Sequence, residues 1–368
     1  MRILRIAQTV YPDVKGGGAY HVHAMSRDQA AMGHDVTVVT VGDGPQRSER
    51  DGYEVIRCPA RVSLLGNDIA PGVWRHLRAD TGYDVIHAHS HLYFSTNLAA
   101  LGRVIDETPL AITNHGLYSQ TAPAWLFDAY LRTAGRWTFN AADTVFCYTD
   151  ADADRLQERG VDSSVAVVHN GIDTARFTPD GDGHQAVLGD PAILFVGRLV
   201  EGKRPGDALA AFAQIHETHP DAGLTFCGSG PLRAELEREA SRLVLDDAVR
   251  FMGQVPYDTM PAVYRGSDLL VLPSRAEGLP RTVLESLATG RPAVTSDLTQ
   301  MRSLVNEAGE TVPVGDTDGF ATALRELADD EQRRQRLGEH GRKHIVENYA
   351  WQETVEQTTE RLRTIIET

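Results

Sequence analysis

The sequence predicts an α/β fold made of two Rossmann-like, doubly wound domains that face each other across a cleft. Three observations carry this. The chain has 368 residues, too many for one typical hydrophobic core and enough for two. Short apolar runs alternate with helical patterns almost throughout, and such alternation makes a parallel sheet covered on both faces. Near the middle, Thr178-Pro179-Asp180-Gly181-Asp182-Gly183-His184-Gln185 breaks the rhythm. It is rich in Gly, Asp and Pro, has no hydrophobic period, and reads as a linker.

In the first half, strands are expected at residues 2–9, 35–41, 53–58, 84–89, 110–114, 144–148 and 165–169. Helices fill most gaps; one spans 19–32 and stops at Gly33, a suitable C-cap. After the linker, strands are expected at 192–196, 224–227, 249–252, 269–272 and 293–295, and 351–367 reads as a helix added once the second sheet is finished. The first domain then covers 1–178, with the C-terminal helix 350–368 packing back on it, and the second covers 179–349. Hinges near 178–183 and 348–351 would let the two close over a substrate. Ligands of doubly wound sheets sit at the C-terminal strand ends, at the switch point, so the cleft is the expected site.

Composition narrows the function. The net charge of -15 argues against a nucleic-acid partner, which would call for a basic face. Only Lys15, Lys203 and Lys343 occur, so arginine supplies the other 33 of 36 basic residues (36 minus 3). An acidic, lysine-poor surface resembles proteins of salt-loving cytoplasms; a GC-rich genome with ordinary solubility is the bland alternative. Cys58, Cys147 and Cys227 are scattered and form no CxxC, which fits a reducing cytosol. The first residues lack the apolar core of a signal peptide, and no apolar run approaches a membrane span. A cytoplasmic protein is expected, with any membrane contact peripheral and at the inner face.

Three stretches could carry chemistry. Gly16, Gly17 and Gly18 follow the first strand and open a helix, where backbone N–H groups favour an anion; this is not GxGxxG and alone could be a plain turn. Gly197 to Lys203 has P-loop spacing, but Arg204 stands where a Ser or Thr would hold Mg²⁺, which argues against an ATPase. Arg198 and Lys203 on this loop could both grip a diphosphate, or could be a surface pair. The third stretch carries Glu277, Gly278, Leu279, Pro280 and Glu285. Pro280 opens a helix, and the amides of Gly278 and Leu279 with the helix dipole would face an anion. Carboxylates beside a phosphate make sense if they serve sugar hydroxyls, Glu277 on a hexose and Glu285 on a ribose diol. The alternative for Glu285 is a helix cap or salt bridge.

These residues resemble the EX7E motif of the family 4 glycosyltransferases, of GT-B fold, and the resemblance covers nearly the whole chain. Gly16-Gly17-Gly18-Ala19 looks like the family's glycine loop, Asp84-Val85-Ile86-His87-Ala88-His89 like its DVIHAH strand, and Thr113-Asn114-His115-Gly116 holds the place of its central histidine. Asn170-Gly171-Ile172-Asp173 with Phe177 matches its entry to the linker; Gly228-Ser229-Gly230-Pro231 and Phe251-Met252-Gly253 match loops of the second domain. The resemblance implies a retaining hexosyltransferase that uses a UDP- or GDP-sugar donor and no essential metal. Arg198 and Lys203 would neutralise the diphosphate, helped by amides near Gly17 and Leu279. Glu277 would hold the transferred sugar, Glu285 the ribose, and His115 would sit beside the sugar near the reacting carbon. Attack on the front face, with the leaving diphosphate taking the acceptor proton, needs charge stabilisation and orientation. Donor choice would fall to Gln254-Val255-Pro256 for the base and Leu279 for the sugar. The family often acts on lipid-linked acceptors, so a glycan or lipid-linked acceptor is expected on the first domain, around 62–74 and 116–137.

Other readings compete. Asp150-Ala151-Asp152 looks like a metal-binding DxD but begins a helix, where N-capping is favoured. His87, His89 and His91 alternate as metal ligands can, yet lack a second cluster, so a structural or acceptor-site role is preferred. Trp125, Leu126, Phe127, Tyr130, Leu131, Trp137 and Phe139, with Arg132 and Arg136, could meet a membrane; a helix packed on the sheet is favoured. A nicotinamide dehydrogenase would want GxGxxG. A phosphorylase would want a pyridoxal lysine, for which Lys203 and Lys343 are poorly placed. A sugar-nucleotide epimerase on the same fold and a non-catalytic sugar-nucleotide binder are the remaining alternatives.

Overall fold

The computed structural model describes residues 1–44, 46–64, 67–79, 82–117 and 124–368. The chain forms two compact units, Met1–Asn170 with Gln352–Thr368, and Gly171–Trp351.

The first unit opens with β1 (Arg2–Ala7), α1 (Gly17–Ala31), β2 (Asp35–Val41), β3 (Arg47–Arg50), β4 (Tyr53–Cys58), β5 (Val62–Leu64), β6 (Asn67–Ile69) and α2 (Gly72–Ala79). It continues with β7 (Val85–His89), α3 (Phe94–Ile105), β8 (Leu110–Thr113), α4 (Ala124–Tyr130), a π-helical turn at Leu131–Gly135, α5 (Arg136–Asn140), β9 (Thr144–Cys147), α6 (Asp150–Glu158) and β10 (Ser164–Val167). Its eight-stranded sheet has the order β10-β9-β8-β7-β1-β2-β4-β3. Every described pairing is parallel except β3 on β4, and β5 and β6 make a separate antiparallel hairpin. The central strands are apolar on both faces because helices cover both. Ile3, Val36, Val38, Val55, Val85 and Phe146 share one core with Val22 of α1 and with Leu362 of the C-terminal helix, while Leu4, Ile6, Ile86 and Ile112 share another with α2 and α3.

The second unit holds β11 (Ala192–Val196), α7 (Pro205–His216), β12 (Gly223–Cys227), α8 (Arg233–Arg242), β13 (Val249–Gly253), α9 (Met260–Arg265), β14 (Leu269–Leu272) and α10 (Arg281–Ala288). β15 (Ala293–Ser296), α11 (Thr299–Val305), β16 (Gly309–Val312), α12 (Thr317–Asp329) and α13 (Glu331–Asn348) complete it; α14 (Trp351–Glu367) follows. The sheet order is β13-β12-β11-β14-β15-β16, all parallel. Ile193, Phe195, Phe212, Phe226, Leu269 and Phe320 share one core, while Leu194, Leu270, Leu272, Leu284 and Leu287 are buried outside it.

Residues 171–177 belong to the second unit, ahead of the linker stretch at 178–185. Arg281 donates to the Gly171 carbonyl at 3.2 Å, and Arg342 to the carbonyls of Thr174 and Phe177 at 2.9 and 2.6 Å. Ile172 also exchanges backbone bonds with Tyr349 and Trp351.

In each sheet the chain winds outward one way from a central strand and then returns to wind the other way. The switch lies between β1 and β7 in the first unit and between β11 and β14 in the second. The loops after those strands are the places where such sheets collect ligands. In the second unit the loop after β11 is fixed by glycine: Gly228 has φ +145°, and a Cβ there would lie 1.9 Å from the Gly197 carbonyl oxygen. Only glycine lets these two strand ends come so close.

Candidate functional site

The two switch points collect the residues singled out in the sequence, as one group on each unit. In the second unit, Arg198 is exposed on the loop after β11, and Lys203 closes a 3₁₀ turn at Glu201–Lys203. β11 pairs directly with β14, so this loop meets the one carrying Glu277. The Arg275 amide donates to the Gly202 carbonyl at 2.9 Å. Lys203 Nζ makes an ion pair with Glu277 Oε1, and the two side chains are 13% and 3% exposed. Gln300 Nε2 donates to the Glu277 carbonyl. Gly278, Leu279 and Pro280 are buried, and Pro280 stands immediately before α10.

Glu285 sits in the second turn of α10 and is buried. Tyr257 donates to its Oε1 at 3.1 Å and Tyr264 to its Oε2 at 2.9 Å. Arg281, one turn earlier, lies 3.7 Å from Oε1 and donates to the Tyr257 hydroxyl at 2.9 Å. Burial pushes the Glu285 carboxyl up, against the pull of Arg281 and the two phenols. Each carboxylate oxygen has about two lone pairs, so each can accept more than the one phenol bond it receives. The helix salt bridge weighed as the alternative therefore exists beside a set of groups that orients the carboxylate. Arg281 was legible as the i,i+4 partner of Glu285; Tyr257 and Tyr264 come from a different helix and its approach, and no spacing announces them.

In the first unit, α1 begins inside the glycine triplet, two residues earlier than expected, with Gly17 and Gly18 in its first turn. A Cβ on Gly18 would meet His115 Nδ1 at 3.8 Å, so the glycine loop and His115 are neighbours. His115 Nε2 lies 3.1 Å from His89 Nδ1, and its Nδ1 lies 2.9 Å from the Tyr148 hydroxyl. The ring is held neutral, its pKa lowered by burial to about 4. His87 and His89 share a face of β7 with ring centroids 4.5 Å apart, whereas His91 packs against Phe139, at 4.6 Å between centroids. Below them Arg5 is wholly buried and donates to Ser26, Gln29 and His87. Arg5, His21 and Tyr148 were missed by the sequence reading; a charged residue at an inward position of a central strand was the one available signal, for Arg5.

Other expectations change. Thr149, rather than an aspartate, caps α6: its Oγ1 accepts from the Asp152 amide at 3.2 Å, while Asp150 and Asp152 occupy the first turn and answer the dipole. Among the described residues, no group of three or more His, Cys, Asp or Glu side chains is placed to hold a metal ion. The aromatic stretch splits: Phe127, Leu131 and Phe139 are buried, while Trp125, Leu126 and Trp137 are exposed. Residues 65–66 and 118–123 of the expected acceptor region lie outside the described residues. No helix among the described residues is long and apolar enough to cross a membrane.

Comparison with known proteins matches both units. Residues 15–176 match the family model "Glycosyltransferase Family 4", and residues 181–344 match "Glycosyl transferases group 1". The chain is similar to glycogen synthase of Mycobacterium tuberculosis, with 28% identity over 98% of this chain and 94% of the relative. It is 31% identical to D-inositol 3-phosphate glycosyltransferase of Salinispora arenicola over 76% of this chain and 68% of that protein. Among solved structures, Anabaena HepE in complex with UDP-glucose superposes with a TM-score of 0.82 at 19% identity, over 99% of this chain and all of that one. The match to the two family models, the relatives and the shared GT-B fold together place this chain in the group 1, family 4 glycosyltransferases.

Proposed function

We propose that this glycosyltransferase is retaining and metal-independent, and that it moves a hexose-type sugar from a UDP- or GDP-sugar to a glycan or lipid-linked acceptor. The observation that carries the reading is the buried Lys203–Glu277 pair at the second unit's switch point, with Arg198 on the same loop. Two cations there can balance a leaving diphosphate, the task a metal ion performs elsewhere. Glu277 has a second carboxylate oxygen for a sugar hydroxyl, and Glu285 is oriented for a ribose. The superposed HepE structure holds UDP-glucose, which supports a donor of this class. On the first unit, His115 with Gly16, Gly17 and Gly18 is the group proposed to serve the transferred sugar. The epimerase alternative draws no support from the matched relatives.

A thermal-shift screen against UDP, GDP, ADP, their sugar conjugates and NAD, with and without EDTA, in low and high salt, tests this. A donor nucleotide at a hundred times its Kd is expected to add about 2.7 kcal/mol of stability. EDTA is expected to change nothing, and Glu285→Ala to abolish the shift. Stabilisation by NAD alone, or a shift that EDTA removes, would sink the donor and metal assignments respectively. The high-salt arm tests the salt-adapted reading of the acidic, lysine-poor surface, which expects equal or greater stability there.

A peripheral membrane contact is the second reading, favoured by the exposure of Trp125 at 72%, Leu126 at 42% and Trp137 at 46%, beside Arg132 and Arg136. Indole rings with arginines suit the interface of an anionic bilayer. The protein is expected to sediment with anionic vesicles and to lose most of that binding in Trp125→Ser/Trp137→Ser. Vesicles that neither bind the protein nor change its rate would remove the membrane from the account.

A further inference from the structure

We propose that Tyr148 and His89 are positioning residues that hold His115 in one neutral tautomer, so that His115 serves as a fixed polar wall and not as a base. The inference rests on the reading of His115 as the imidazole beside the donor sugar. It begins at Arg5. A guanidinium only donates, so His87 Nδ1, 3.3 Å from Arg5 Nη2, must accept. The single proton of a neutral His87 is then on Nε2, directed at Thr113 Oγ1 at 2.7 Å. The His89 ring packs at a tilt against His87 and lies 5.4 Å from His115, which His21 of α1 meets edge-on at the same centroid distance.

The charged and titratable groups around these rings, among the described residues, are Arg5 from β1, His21 from α1, His87 and His89 from β7, His91 just past it, and Tyr148 beyond β9. A buried cation beside clustered imidazoles disfavours a second positive charge among them. The phenol is the stronger donor of the two, and the direction of the chain is taken from it. Tyr148 O–H donates to His115 Nδ1, and His115 Nε2–H donates to His89 Nδ1. Both ring nitrogens of His115 are committed. It cannot accept a proton from an acceptor hydroxyl without giving up one of these bonds, so that proton is left to the leaving diphosphate.

The test is a long-range ¹H–¹⁵N spectrum of histidine-labelled protein, with His115→Gln to assign the resonance, together with steady-state kinetics. In the parent protein His115 is expected to show one neutral tautomer, protonated on Nε2, from about pH 8 down to about pH 5. Tyr148→Phe removes one hydroxyl and is expected to mix the tautomers, to let His115 take up a proton at higher pH, and to lower kcat roughly tenfold with donor KM little changed. His89→Phe should do the same, and His89→Gln, whose amide oxygen can still accept, should restore much of the loss. An unmoved His115 resonance in both Tyr148→Phe and His89→Phe overturns the proposal; if His89→Phe does not fold, Tyr148→Phe alone decides it. Full activity of His115→Ala alongside shifted spectra would instead overturn the role given to His115 and leave the chain intact.

Discussion

Replacing Lys203 by alanine is expected to lower kcat by roughly a hundredfold or more and, separately, to cost the fold about 3–5 kcal/mol. The two losses have different causes. The first follows from removing a cation aimed at the charge that develops on the diphosphate, an interaction that strengthens in the transition state and so acts on kcat. The second follows from Glu277, whose side chain is 3% exposed and whose ion-pair partner is Lys203. Without the lysine its carboxylate is a buried charge with its counterion gone, the expensive half of a broken pair.

The double variant Lys203→Met/Glu277→Gln separates them. With both charges removed and similar shapes kept, denaturant unfolding should recover most of the lost stability, because a buried ion pair contributes little over an apolar or neutral pair of the same volume. Activity should not recover, since neither the diphosphate nor the sugar hydroxyl finds its partner. Arg198→Ala, at an exposed position, should lose rate with stability nearly unchanged. If Lys203→Ala keeps kcat within a few-fold at saturating donor, the pair is not at the diphosphate. If the double variant is as unstable as the single one, the packing of the two loops, and not charge, is what Lys203 supplies.

The parts of the fold that were legible are those where burial leaves a mark on composition. β2, β4, β11 and β14 begin and end at the expected residues because each is a short, buried parallel strand bounded by polar turns, and α14 does so because its apolar stripe is regular. The strands that escaped are at edges. β3 reads Arg-Ser-Glu-Arg, and it holds its place through antiparallel backbone bonds to β4 and no apolar face of its own. β16 reads Gly-Glu-Thr-Val at the far edge of its sheet and is equally mute. The same division holds in the site. Lys203, Glu277 and Glu285 announce themselves because a strand end, a glycine and a helix start surround them in one stretch. Tyr148 reaches His115 from just past β9, Arg5 reaches His87 from β1, and Tyr257 and Tyr264 reach Glu285 from outside its helix. Such partners are fixed by sheet order, and sheet order is not a property of any local window.

Acid is expected to unfold the first unit well before the second. Burial lowers His91 to about 3 and His115 to about 4, and His87 and His89 well below the ordinary value, with Arg5 adding to the effect on the last two. In the unfolded chain all four titrate near 6.5. Above that value both states are neutral and nothing is lost. Below it the unfolded chain takes up protons that the folded unit refuses, so stability falls as pH falls towards about 4 and 3. The slope is on the order of 1.4 kcal/mol per pH unit for each histidine. Glu285 in the second unit has the opposite sign. Its carboxyl is raised, so between the unfolded value and the folded one the native state holds the extra proton, and mild acid favours that unit. Hydrogen exchange read by mass spectrometry, corrected for intrinsic pH dependence, should therefore show β7 and β8 losing protection between about pH 6.5 and 5 while β14 keeps it. His91→Leu removes one proton acceptor from among Phe127, Tyr130 and Phe139 and should flatten the slope by one histidine's share, on the order of 1.4 kcal/mol per pH unit. Loss of β14 first, or a slope that His91→Leu leaves unchanged, would mean that the histidines are not the groups acid attacks.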